Sequence, residues 1–127
     1  MATLKTAVAQ ARQLALAGLE DARAKLDHDT HFPPVGDQGQ LRFCYAEVVY
    51  DLDEITALGH YEVCVDQTYR PDPYQIIRLE STGWAGQPSR ASYRVQAELD
   101  AARQVRGSST DNPDYWKFIR LTDQVDP

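Results

Sequence analysis

The spacing of apolar residues changes once along this chain of 127 residues, close to position 40. From Leu4 to Leu26 they recur at steps of three and four, at Leu4, Val8, Ala11, Ala15, Gly18, Ala22 and Leu26, with Ala7, Leu14 and Leu19 widening the stripe. That spacing predicts an amphipathic helix over residues 3–27. Seven alanines between positions 7 and 24 favour it, and no proline interrupts before Pro33. At about 1.5 Å per residue the helix would be near 37 Å long, more than a domain of this size needs to cover one sheet. Residues 28–40 hold Pro33, Pro34, Gly36 and Gly39 and read as a loop.

Beyond the loop the period becomes two. Tyr61, Val63 and Val65 alternate with Glu62, Cys64 and Asp66, and Tyr93, Val95, Ala97 and Leu99 alternate with Arg94, Gln96, Glu98 and Asp100. Both stretches predict half-buried strands. Arg42 to Tyr50 and Tyr74 to Leu79 add two more, and Tyr115 to Leu121 a fifth. Turn residues separate them at Leu58-Gly59, at Pro71-Asp72-Pro73, from Gly83 to Pro88 and from Gly107 to Pro113. One helix followed by strands on short links excludes parallel crossovers. The expected fold is therefore α+β: one domain over 1–127, with a long N-terminal helix packed on a four- to five-stranded antiparallel sheet spanning residues 41–121.

Composition narrows the function. Thirteen Lys and Arg against nineteen Asp and Glu give a net charge of −6, which repels a phosphate backbone, so general nucleic-acid binding is not expected. Locally the balance differs. Residues 67–107 carry six arginines and four acids, which reads either as a solvated strand face or as a docking surface for an acidic partner. The longest strongly apolar run, Leu14 to Leu19, is far short of the roughly 20 residues a membrane helix needs.

Candidate chemistry is sparse. Cys44 and Cys64 are the two cysteines; they are either separate buried thiols or one disulfide across neighbouring strands, and the absence of a nearby basic His favours a structural staple. His28-Asp29-Thr30-His31 is the densest group of possible metal ligands, yet its position at a helix end beside a Pro-rich loop favours a solvated terminus. Asp51, Asp53 and Glu54 lack the spacing of a calcium loop. No nucleophile elbow, phosphate loop or dinucleotide fingerprint occurs, so neither cofactor nor catalysis is expected. Among the aromatics, Trp84 in a glycine-rich turn and Trp116 near the C-terminus are the candidates for partner contact, together with Arg90 and Arg94.

Two segments carry a family resemblance. The run Ala11-Arg12-Gln13-Leu14-Ala15-Leu16-Ala17-Gly18-Leu19-Glu20-Asp21-Ala22 is one, with Ala17-Gly18-Leu19-Glu20 its most recognisable part. The other is Tyr74 to Leu99, where a strand enters Ser81-Thr82-Gly83-Trp84-Ala85-Gly86, then Ser89-Arg90 and the strand Tyr93 to Leu99. Together they resemble the minor pilins of type IV pili, above all the PilX-type group. The resemblance implies a ladle-shaped fold, and an upstream apolar half-helix with a Glu near the mature N-terminus, preceded by a leader cut by a prepilin peptidase. It further implies inner-membrane anchoring through that segment before assembly, a place at the cell surface or in the periplasm, and other pilins as partners. Ala11, Ala15, Gly18, Leu19 and Ala22 become the expected helix-packing residues, and Gly18→Leu is expected to disrupt assembly. Two other functions fit the same pattern: a pseudopilin of a type II secretion system, and a small-molecule binding module with a tyrosine-lined pocket between helix and sheet.

Overall fold

The structure, a computed structural model, describes residues 4–28, 42–50, 53–55, 57–71, 73–86 and 91–124. Helix α1 spans Leu4–His28, and five strands follow: β1 Arg42–Tyr50, β2 Ala57–Asp66, β3 Ile76–Ala85, β4 Ala91–Asp100 and β5 Phe118–Gln124. They form one antiparallel sheet in chain order, β1-β2-β3-β4-β5. Alternation fixes which face is covered. Tyr61, Val63, Val65, Ile77, Leu79, Tyr93, Val95, Ala97 and Leu99 are buried, and they pack with Ala11, Leu14, Ala15, Leu19, Ala22 and Leu26 of the helix. The helix lies over β3 most closely, then over β4 and β2.

The expected fold class needs correction. The chain is mostly sheet, with one helix as its cover, and not a long helix carrying a smaller sheet in a ladle shape. Two causes combine. The middle three strands have ten residues each, about 33 Å, so they match the helix in length. Burial also continues along α1 from Ala7 to Leu26, which leaves no long projecting half among the described residues.

The strands are longer than expected because one presumed turn and the start of another belong to them. Leu58-Gly59 lies inside β2, and Gly83 to Ala85, the start of the turn expected from Gly83 to Pro88, inside β3. A glycine in a strand marks close backbone approach as readily as a turn, and both of these do so. A Cβ on Gly59 would stand 2.2 Å from the Trp84 carbonyl oxygen, and one on Gly83 2.1 Å from that of Ala11. β5 also begins later than expected, at Phe118, because residues 101–117 form an irregular loop.

Cys44 and Cys64 are directly opposed across β1 and β2 and are bonded to each other. The bridge fastens β1, an edge strand, to β2. Closing a loop of this size stabilises the native state by about 3 kcal/mol. The Cys44→Ser/Cys64→Ser variant is accordingly expected to lose about that much stability in a urea titration while keeping its far-ultraviolet circular dichroism. An unchanged midpoint would refute the role of the staple.

Candidate functional site

The contact between α1 and the sheet is built from small residues on both sides. Ala11, Ala15, Gly18 and Ala22 face the sheet, with Leu19 beside them, all buried. Beneath them lie Gly83 and Ser81 of β3. A Cβ on Gly18 would come 2.5 Å from Ser81 Oγ, 2.8 Å from Tyr61 and 2.9 Å from Val63, so no space remains in this contact. Ser81 is fully buried and its hydroxyl has no hydrogen-bond partner. Any larger residue at Gly18 must push these three side chains aside. Gly18→Leu therefore acts on folding first, and assembly defects from it would be indirect.

The outward face of the same helix also carries small residues. Ala9, Ala17 and Ala24 are exposed, separated by Gln13 and Glu20, with Leu16 half-buried. On this face the helix backbone is open to close approach by a neighbour.

At the β1 edge a polar cluster joins helix to sheet. The Tyr45 hydroxyl donates to Asp21 at 2.8 Å, the Tyr61 hydroxyl donates to Glu47 at 3.1 Å, and Lys25 bonds both Asp21 and Glu47. Burial and the nearby carboxylates raise both phenols above their ordinary value. For Lys25, burial acts to lower the pKa, but the bonds to Glu47 and Asp21 outweigh it and the ammonium is held charged. All three groups keep one protonation state through neutral pH, so the cluster serves as a fastener for β1 and not as an acid–base pair.

The face away from the helix carries a row of alternating charge. In register across all five strands stand Arg42, Asp66, Arg78, Glu98 and Arg120. Arg78 and Arg120 both reach Glu98, at 3.4 and 3.7 Å. Such exposed pairs contribute little to stability each. They do neutralise the face: Arg94 stands 3.8 Å from Glu80, so arginines of the 67–107 stretch are interleaved with acids there. Of the residues expected to touch partners, Trp84 is on this face, half-buried and stacked on His60 with ring centroids 4.6 Å apart. Trp116 is elsewhere and turned inward, its indole N–H donating to the Arg23 carbonyl oxygen at 3.0 Å. It anchors the start of β5 to the helix. Arg90 lies outside the described residues, as do Asp29, Thr30, His31 and Asp51. Among the described residues no three His, Cys, Asp or Glu gather as metal ligands.

Sequence reasoning missed Asp100. The residue is 3% exposed, yet its side chain is a carboxyl group. Asn112 donates to it at 2.9 Å, the Ala102 amide at 3.0 Å and Arg106 at 3.1 Å. Burial alone would raise its pKa; these three donors outweigh it and hold the carboxyl below the ordinary range. Arg106 also donates to the Tyr74 and Gln75 carbonyl oxygens. The single carboxylate thus gathers the 101–117 loop against the β2–β3 turn. A groove of about 830 Å³ remains beside it, lined by Arg103, Val105, Asp111 and Tyr115 among others.

No family model, curated protein or solved structure matches this chain. Among the described residues no helix is long and apolar enough to cross a membrane.

Proposed function

We propose that this chain is the globular part of a minor pilin or pilin-like subunit, a protein that works by packing into a type IV pilus or related filament. The observation that carries the reading is a helix with small residues on both faces: one row, Ala11, Ala15, Gly18 and Ala22, lies against the sheet, and another, Ala9, Ala17 and Ala24, lies open. The second row takes no part in covering the sheet and is free to meet a neighbour. The sequence resemblance points to the same role. The disulfide fits the oxidising compartment that such subunits enter, which supports a place in the periplasm or at the cell surface. A secretion pseudopilus would use the same contacts.

In this role the chain presents its sheet outward and turns the open helix row toward neighbouring subunits. Ala17→Arg places a long cation on that row without touching the core. The full-length variant, expressed in its own cell, is expected to melt as the wild type does and to be lost from filaments sheared off the surface. Normal recovery of Ala17→Arg in the filament fraction would count against the helix as the assembly face.

A further inference from the structure

The two ends of the sheet differ in relief and in charge. At one end the β1–β2 hairpin exposes Val48, Tyr50, Ile55 and Leu58, and Ile55 at 83% is the most exposed large apolar residue described. Single exposed apolar side chains are ordinary; several on one hairpin form a patch. Asp53 and Glu54 immediately precede Ile55, both exposed, and the sequence of residues 51–56 holds three acids and no base. The opposite end holds the groove beside the 101–117 loop, with Arg103 exposed over the Tyr115 ring at 5.0 Å and Val105 exposed next to it. Residues 101–117 carry three bases against two acids, Asp111 and Asp114. Strand β2 runs from the hairpin to the other end over ten residues, about 33 Å.

A projecting acidic, apolar tip and an arginine-bearing groove at opposite ends of one molecule match by translation along the strands. Contacts of that kind are heterologous and build open rows, whereas a two-fold contact would bring like ends together. We propose that the hairpin tip of one copy of this chain seats in the 101–117 groove of the next, with Ile55 against Val105 and Tyr115 and with Asp53 and Glu54 facing Arg103. This names one contact within the filament role, and it rests on that reading. Asp111 in the groove opposes the acidic tip, so the contact is weak between two isolated copies and becomes effective when subunits are already aligned.

Sedimentation of the purified chain at rising concentration tests the contact. Wild-type chain is expected to form an open series of oligomers with a Kd of about 1 mM or tighter at low salt, weakening about tenfold at high salt. Ile55→Asp and Arg103→Glu, both at exposed positions, are each expected to melt normally and to weaken association at least about tenfold. An equimolar mixture of the two variants should form a one-to-one dimer and stop there, because one intact tip and one intact groove remain between them. A chain monomeric at every concentration, association untouched by both variants, or a closed dimer with no larger species would each overturn the proposal. Recovery of the chain in sheared filaments is a separate readout, so the contact can fail while the filament role stands.

Discussion

Replacing Gly83 by valine is expected to leave the protein unfolded at 25 °C, with no cooperative thermal transition. The first atom added to Gly83 would lie 2.1 Å from the Ala11 carbonyl oxygen and 2.7 Å from the Ala15 amide nitrogen, both helix backbone. Backbone cannot swing aside as a side chain can, so the helix must lift from β3. Overpacking that displaces side chains costs about 1–3 kcal/mol. Here the displaced element covers most of the core, and the cost should exceed about 4 kcal/mol, close to the whole margin of a small domain. Gly18→Ala offers the contrast. Its new methyl would meet Ser81 Oγ, Tyr61 and Val63, which are side-chain atoms able to shift, so a smaller loss with retained folding is expected. Equal and small effects of the two changes in thermal melts would show that the helix does not rest on Gly83.

Asp100→Ala is expected to cost about 1–3 kcal/mol, the penalty for leaving buried donors without their acceptor, because the Arg106 partner is itself 40% exposed and keeps its contact with water. The loss should be local. Without the carboxylate, the Asn112 side chain, the Ala102 amide and Arg106 lose their shared acceptor, and the 101–117 loop should become the first site of proteolytic cleavage. Asp100→Asn keeps an acceptor oxygen and should fall between. The pH dependence has a definite sign. Because the folded pKa lies below the ordinary carboxylate value of about 3.9, the stabilisation is fully present above that value. It is lost as pH falls below about 3.9 and through the folded pKa. Wild-type chain should therefore lose stability in acid more steeply than Asp100→Asn, as urea titrations at pH 3 and pH 6 would show. Equal slopes would refute the assignment.

Local pattern made the elements legible and left their contacts hidden. The three-and-four spacing gave α1 to within one residue at each end, because the buried stripe from Ala7 to Leu26 is what that spacing reports. Period two likewise placed the strand cores at Tyr61 to Val65 and Tyr93 to Leu99. Gly59 and Gly83 misled because a strand glycine under a helix and a turn glycine look alike in sequence; the helix residues that press on them, Leu14 and Ala11, stand 45 and 72 positions earlier. Their effect was to shorten the sheet, and hence to overstate the helix in the expected fold. Trp116 was assigned outward for the same reason, since the carbonyl that receives its N–H is 93 positions earlier. The acid at position 100 is one more polar residue in the alternation Arg94, Gln96, Glu98, Asp100, and nothing local sets it apart. Only loop closure brings Asn112 and Arg106 to it. The charge row from Arg42 to Arg120 needed the register of all five strands, although each strand's polar face was plain in its own alternation.

The filament role is tested most directly by shearing surface filaments from cells that produce the full-length protein and measuring the chain in the sheared fraction by quantitative mass spectrometry. The expected result is that the chain co-sediments with filaments, is absent from that fraction when filament assembly is genetically abolished, and is excluded by Ala17→Arg. A chain found only in soluble fractions, or recovered equally with and without filaments, would contradict it.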